Sequence, residues 1–128
     1  MLLRFNLLLF LLLSSLPLAY AKTEADYVDM TCQGEIEYVL PDKTRVDCLT
    51  DEYAIEYDWA KKWAESVGQS LYYAKMTNKK PAVVLILKNP DDEKYVERLE
   101  LLDLDIKVYK LKLYAQEYFN PTNTPEIQ

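Results

Sequence analysis

Residues 45–73 combine two acidic side chains in apolar surroundings with a polar segment directly after them. They read RVDCLTDEYAIEYDWAKKWAESVGQSLYY, with Asp47 and Glu56 inside short runs typical of strands. Side chains two apart share one face of a strand, so adjacent strands can bring these two carboxylates to one divalent cation. Mg²⁺ binds carboxylate, water and phosphate oxygens. The two residues are therefore candidate ligands of Mg²⁺ or Mn²⁺.

The segment that follows presents further polar side chains. Its pattern predicts a helix over residues 59–77. The expected apolar side of this helix contains Ala60, Trp63, Ala64, Val67, Leu71 and Ala74. At 100° per residue, a neighbouring stripe contains Lys62, Glu65, Ser66, Gln69 and Tyr73. We expect Lys62, Gln69 and Tyr73 to line one edge of a cleft beside the carboxylates, with Lys61 toward solvent.

Each of these side chains also has a structural interpretation when it is taken alone. Asp47 could pair with Arg45 or Lys43 at a strand edge, and Lys62 could belong to an ordinary solvated face. Asp58 is interpreted as the cap of the helix that follows it. The joint occurrence of the acidic and polar groups on compatible faces favours a site.

The elements that must position these residues follow from periodicity and turn residues. The run AVVLIL at 82–87 is typical of a strand buried on both faces. The other predicted elements are helices over 23–31 and from about 91 to 102, and strands over 35–40, 45–50, 54–57 and 106–113. The sequence thus predicts one α/β domain with a mixed central sheet in the order α-β-β-β-α-β-α-β.

The first 21 residues have the features of a secretory signal peptide. Arg4 precedes a short apolar run, and Ala19-Tyr20-Ala21 is typical of a cleavage site. The alternative is an uncleaved anchor, although the run is short for a bilayer span. We expect cleavage after Ala21, export to the periplasm or medium, and no stable membrane insertion afterwards. Residues 22–118 would form the domain and 119–128 a flexible tail.

Composition narrows the function classes. The chain has 15 basic and 21 acidic residues, and the leader takes away one of the basic residues, which leaves a net charge of −7. Such a chain does not coat nucleic acid non-specifically. Because histidine is absent, Ser-His triads and His-based zinc sites are excluded. Cys32 and Cys48 could form a disulfide in an exported protein or remain two buried thiols.

The motifs resemble those of the PD-(D/E)XK nuclease superfamily, in its RecB-type form. Asp47 matches the acidic residue of the second strand. The (D/E)-x-K position is Glu56-Tyr57-Asp58, and Gln69-Ser70-Leu71-Tyr72-Tyr73 matches Q-x-x-x-Y. The segment over 44–74 also resembles a small family of short exported bacterial proteins with that presumed fold. The likeness spans roughly 32–113 and implies a restriction-endonuclease-like core.

The resemblance implies a role for each matching residue. Asp47, Glu56 and the Tyr57 carbonyl would hold Mg²⁺ or Mn²⁺. Lys62 would replace the lysine that is missing at position 58. Gln69, as a catalytic residue, and Tyr73 would position substrate or the metal-bound waters. Glu37 on the first strand would support the site if the hairpin register places it beside Asp47.

The implied activity is that of an exported, metal-dependent nuclease that hydrolyses phosphodiesters of nucleic acid with an activated water. Because superfamily nucleases usually need extra elements or a dimer to grip a duplex, a homodimer is one expected state. The alternative is a catalytically degenerate member of the fold that acts as a binding or interaction module. Asp58, standing where the motif has lysine, is the residue that keeps this alternative open.

Overall fold

The computed structural model describes residues 20–118 and 127–128, with side chains described through residue 115 in the first range. The predicted signal peptide therefore lies outside the described residues except at its last two positions, and so does most of the predicted tail. Among the residues described, no helix is long and apolar enough to cross a membrane.

The described residues form a single small α/β domain with a mixed five-stranded sheet, as the sequence predicts at this level. The sheet order is β1-β2-β3-β4-β5, antiparallel from β1 to β3 and parallel from β3 to β5. Three 3₁₀ turns, at 60–62, 90–92 and 113–118, follow or precede the main elements. The main helices and strands are α1 (Glu24–Thr31), β1 (Glu35–Val39), β2 (Arg45–Leu49), β3 (Tyr53–Trp59), α2 (Trp63–Thr77), β4 (Lys80–Leu87), α3 (Glu93–Glu100) and β5 (Lys107–Lys112).

The helices cover the sheet unequally. Helix α1 packs Tyr27 and Val28 on one face, against a cluster that includes Ile55 and Val84. Helices α2 and α3 cover the other face. Strand β4 lies between these layers, and its side chains from residue 82 to 87 are completely buried. The prediction that this run is buried on both faces is confirmed.

Helix α2 is rotated relative to the expected apolar stripe. Ser66 and Ser70 are completely buried, whereas Ala64 and Leu71, which were expected to face the core, are exposed. The serines tolerate burial because their hydroxyls donate to the carbonyls of Trp63 and Val67 one turn earlier. Small side chains here also let the helix approach the sheet closely. Of the polar stripe, Ser66 and Tyr73 are thereby turned onto the sheet and Gln69 is half-buried, while Lys62 and Glu65 stay exposed.

A disulfide between Cys32 and Cys48 joins the end of α1 to β2. The sequence left the choice between a bridge and two thiols open, and the structure contains the bridge. At the other end of α1, Thr23 and Asp26 form a capping box. The helix is therefore fixed at both ends over the second and third strands.

The last two residues of the predicted flexible tail lie against the sheet. Gln128 exchanges two backbone hydrogen bonds with Lys110 of β5, at 2.8 and 3.1 Å. Ile127 packs at the edge of the cluster that contains Val84 and Leu111. The end of the chain thus pairs with the edge strand.

Two glycines give opposite predictions for substitution by alanine. A Cβ at Gly34 would lie 2.1 Å from the Leu49 carbonyl oxygen, so Gly34→Ala must force β1 away from β2. We expect the free energy of unfolding to fall by about 1–3 kcal/mol. Nothing lies within 4 Å of a Cβ at Gly68, in the interior of α2, so Gly68→Ala should raise it by up to about 1 kcal/mol. Urea unfolding of both variants measures the change in the free energy of unfolding. Equal changes would contradict the crowded environment of Gly34 and the open one of Gly68.

Candidate functional site

The site begins where β2 separates from β3. The two strands pair at Cys48–Ile55 and Leu49–Ala54, and the same register would place Asp47 opposite Glu56. The backbone pairing ends before that point. Instead, the Asp47 carboxylate accepts the N–H of Tyr57 at 2.9 Å. A side chain has replaced the backbone acceptor of the neighbouring strand, so the strands part and Asp47 stands in the gap.

The alternation of β2 is broken at this residue. Val46 and Cys48 are both completely buried, but Val46 packs with Tyr73 and Ala74 of α2 while Cys48 packs on the α1 side. Period-2 alternation would give Val46 and Cys48 a common face, but the two side chains pack on opposite faces of the sheet. Strict period-2 alternation does not hold where a strand leaves its ladder.

Strand β1 is distorted beside the same point. The β1–β2 register would place Glu37 opposite Asp47, and Glu37 has a φ of 53°, in the left-handed region that non-glycine residues rarely adopt. The Glu37 carboxylate is exposed and contacts Arg45 at 3.3 Å. Arg45 therefore pairs with Glu37 and not with Asp47, which removes one of the two partners, Arg45 and Lys43, that the edge-pairing interpretation offered. Glu37 lies at the rim of the site.

A cleft of about 580 Å³ opens between α1, α2 and the parted strands. It brings together most of the residues that the sequence singles out, together with several that it does not. The predicted residues that line the cleft are Glu37, Asp47, Glu56, Tyr57, Lys62 and Gln69. The additional polar residues are Glu24, Asp29, Asp58 and Glu65.

Tyr73 does not line this cleft. It is buried between α2 and the sheet, packed with Leu40, Val46 and Ala54. Burial raises the pKa of its hydroxyl, and the charges of Glu56 and Asp47 raise it further. The ring thus lies beneath the carboxylates, and the direct substrate contact expected for Tyr73 is not supported by its position. The rotation of α2 described above accounts for this.

Glu56 is the most perturbed group of the cleft. The residue is 6 % exposed, and burial, together with the charges of Asp47 and Asp58, raises the pKa of its carboxyl to about 9. Its Oε2 atom is buried and has no hydrogen-bond partner among the described residues. Burial also raises the pKa of Asp47, although the Tyr57 N–H that it accepts acts in the opposite direction. Each of these charges disfavours ionisation of the other group, and a nearby cation would offset that repulsion.

Asp58 does not cap a helix, contrary to the sequence interpretation. It belongs to β3, its side chain is 8 % exposed, and its Oδ1 accepts the N–H of Trp59 at 2.9 Å. Helix α2 begins only at Trp63, after a 3₁₀ turn. Burial and the neighbouring Glu24 raise the pKa of Asp58 to about 6, against the opposing charge of Lys62.

Lys62 reaches the cleft from the 3₁₀ turn. Its Nζ lies 3.6 Å from Asp58 Oδ1 and 3.8 Å from Glu24 Oε1. Sequence reasoning chose Lys62 over Lys61, and the structure places Lys62 in the cleft lining and leaves Lys61 exposed. Gln69, two turns further along, is half-buried in the same wall.

Sequence reasoning missed Glu24. An acidic residue in the first turn of a helix interacts favourably with the helix N-terminus, so Glu24 gives no sign of a site in the sequence. Only the packing of α1 over β3 brings Glu24 to the cleft, and the Cys32–Cys48 bridge was the one sequence signal that could have oriented this helix.

The donor set fits a hard divalent cation. Asp47 and Glu56 supply carboxylate oxygens, and Glu56 has an oxygen without a partner. The N–H and C=O of a strand residue point to the same side, so the Tyr57 carbonyl faces the gap into which its N–H donates. Among the described residues no group of three or more His, Cys, Asp or Glu is close enough to hold a metal. Two carboxylates completed by a carbonyl and waters agree with the preference of Mg²⁺.

No family model, no curated protein and no solved structure matches this chain.

The raised pKa of Glu56 predicts a pH-dependent stability in the absence of divalent cations. The unfolded chain releases this proton near 4.5 and the folded chain near 9, so the folded state binds more protons between these values. The free energy of unfolding should therefore fall as pH rises from about 5 to 9. Glu56→Gln should reduce this slope and stabilise the protein at pH 8. Urea unfolding in EDTA at several pH values measures it.

The matched control is Glu52→Gln. Glu52 is exposed and pairs with Lys80, which lowers its pKa, so this variant should keep the wild-type slope in the same range. If Glu56→Gln kept the wild-type dependence of the free energy of unfolding on pH, the raised pKa of Glu56 would be contradicted.

Proposed function

We propose that this protein is an exported, metal-dependent nuclease-like hydrolase of nucleic-acid phosphodiesters, built on a restriction-endonuclease-like core. One observation carries the proposal: Asp47 and Glu56 meet in the gap between diverging strands, and a buried Glu56 oxygen there lacks a hydrogen-bond partner among the described residues. The order of the elements and the position of the cleft beside α2 support it.

Some residues of the cleft would bind the cation and others would contact the substrate. Asp47, Glu56 and the Tyr57 carbonyl would hold Mg²⁺ or Mn²⁺. When bound, such an ion polarises a phosphodiester and lowers the pKa of a water molecule. The Lys62 ammonium would orient toward the phosphate and stabilise developing negative charge. Gln69 would donate to or accept from the substrate at the adjacent wall.

A nuclease assay tests the proposal. The mature chain is incubated with plasmid, linear DNA, single-stranded DNA and RNA, with Mg²⁺, Mn²⁺ or EDTA. We expect cation-dependent cleavage that Asp47→Asn and Glu56→Gln each reduce by about 100-fold or more, because either change removes a ligand oxygen. No cleavage of any substrate, or cleavage that both variants retain, would remove the enzymatic claim.

Lys61 and Lys62 provide a matched pair within the same assay. Lys62 lines the cleft and Lys61 is exposed beside it, so both changes remove one positive charge from the same turn. Lys62→Gln should lower the cleavage rate by about 10- to 100-fold, while Lys61→Gln should change it less than about threefold. Equal effects would show only a general loss of attraction for the polyanion.

A second candidate is a non-catalytic binding module of the same fold. It is favoured by Asp58, which occupies the position of the motif lysine. Asp58 also forms an ion pair with Lys62, with 3.6 Å between Asp58 Oδ1 and Lys62 Nζ. In that case divalent cations bind through Asp47 and Glu56 but no phosphodiester is cleaved. Calorimetric titration with Mg²⁺ beside the nuclease assay separates the two functions.

A further inference from the structure

A second cavity, of about 780 Å³, opens on the face of the sheet that α1 covers, beside the C-terminal end of that helix. Thr31 of α1 lines it, together with Ile55, Tyr57 and Tyr109 of the sheet. Among the described residues, Tyr57 alone lines both this cavity and the cleft. The volume is within the range of small-molecule sites, and the proposed function leaves this cavity unused.

The sheet side of the cavity contains a row of side chains in register across three strands. Tyr57 of β3 pairs with Val84 of β4, and Val84 pairs with Tyr109 of β5. Because adjacent strands are about 4.8 Å apart, the two tyrosines begin about 10 Å from each other, with the smaller valine between them. The Nζ atom of Lys107 lies 5.4 Å from the centre of the Tyr109 ring, a distance at which an aromatic ring attracts a cation. This wall is therefore aromatic and suited to an apolar group that carries positive charge.

The Tyr57 hydroxyl can offer a ligand only an acceptor. The Thr31 hydroxyl donates its one proton to the Tyr27 carbonyl at 2.7 Å, so it must accept in its contact of 3.0 Å with the Tyr57 hydroxyl. The Tyr57 proton is thus used within the fold, and burial raises the pKa of this phenol, which keeps the proton in place. Tyr57 is 4 % exposed. The remaining hydrogen-bonding capacity of this buried oxygen therefore calls for a ligand that donates.

The charges around the cavity favour a cation. Its lining contains the carboxylates of Glu35, Asp51 and Glu52 and one ammonium, that of Lys79. Glu52 pairs with Lys80 at 2.9 Å, and the Lys79 ammonium donates to the backbone carbonyl of Asp51. In the part of the chain that the structure describes, Glu35 and Asp51 have no ion-pair partner. Because both residues are exposed, they attract a cation to the mouth of the cavity only weakly.

We propose that this cavity binds an organic ligand with a primary ammonium on an apolar stem. The ammonium donates to the Tyr57 oxygen, and the stem lies along the row formed by Tyr57, Val84 and Tyr109. Hydrogen bonds from charged donors are stronger than those from neutral ones, and the aromatic rings add attraction for the charge. The inference does not rest on the proposed function, since the two sites have only Tyr57 in common.

Titration with matched small molecules tests the chemistry of the ligand, by calorimetry and by the amide resonances of the ¹⁵N-labelled chain. We expect 2-phenylethylamine to bind with a dissociation constant of about 1 mM or tighter. The neutral analogue 2-phenylethanol has the same stem and should bind at least about tenfold more weakly. The ammonium can come from a free amine or from the lysine side chain of a polypeptide. Titration with the amide of Nα-acetyl-lysine distinguishes these sources, because only a site open to polypeptides binds it comparably.

Variants locate the contacts. Tyr57→Phe removes the acceptor oxygen and should weaken the amine about tenfold while leaving the weak binding of the alcohol unchanged. Tyr109→Leu removes a ring from the wall and should weaken both probes. Tyr95→Phe is the matched control, since Tyr95 packs on the other face of the sheet, and it should change neither affinity more than about twofold. Asp47→Asn, in the cleft, should also leave the affinity for the amine within about twofold.

Three results would overturn the proposal. They are no binding of the amine up to about 10 mM, equal affinities for amine and alcohol, and a Tyr57→Phe variant that keeps the preference for the amine. Resonance shifts confined to the cleft around Asp47 would also overturn it, because the amine would then act only as a counter-ion of the acidic residues there. Circular dichroism confirms folding of each variant. Should Tyr57→Phe unfold, Tyr109→Leu and the ratio of the amine and alcohol affinities decide.

Discussion

The hydrogen bond from the Tyr57 N–H to the Asp47 carboxylate is the interaction on which the cleft depends. A backbone N–H inside a sheet must find an acceptor, and the adjacent strand usually provides a carbonyl. Here the acceptor is a side chain of that strand, at 2.9 Å. The bond gives the Tyr57 N–H of β3 an acceptor, and at the same time it allows the backbone of β2 to diverge from β3. Asp47 therefore holds the gap open, and under the proposed function it would also supply an oxygen to the cation.

The same region is stabilised from the α1 side. Helix α1 has eight residues, too few to be stable by itself. A capping box, the packing of Tyr27 and Val28, and the Cys32–Cys48 bridge hold it on the sheet. Its C-terminal end also bonds to the sheet, since Thr31 and Tyr57 share a hydrogen bond of 3.0 Å between hydroxyls. These constraints fix Glu24, at the opposite end of the helix, over the cleft. Such bridges persist in oxidising compartments, and export of the chain stays a prediction from its leader.

Sequence periodicity could predict part of this site, because it assigns faces within one element. It indicated Asp47 and Glu56 as neighbours and selected Lys62 over Lys61. It could not predict how α2 is rotated against the sheet, since hydrogen-bonded serines replaced the expected Ala64 and Leu71 in the contact. It also failed where the ladder ends, at Val46 and Asp58, because strand separation is a property of two segments together. The presence of Glu24 in the site could not be predicted for the same reason, because tertiary packing sets its position.

The position of Asp58 changes what the cleft needs in order to work. A lysine at this buried position would neutralise part of the Asp47–Glu56 pair permanently. An aspartate adds a negative charge instead, and its repulsion contributes to the pKa of about 9 for Glu56. The Lys62 ammonium offsets the charge of Asp58 from a more exposed position. It lies 3.6 Å from Asp58 and 3.8 Å from Glu24, so the two carboxylates have this one cation in common. Without added cations the carboxylates must stay partly protonated, and a phosphate would meet net negative charge. Under the proposed function, cation binding would therefore be the step that makes the cleft complementary to an anionic substrate.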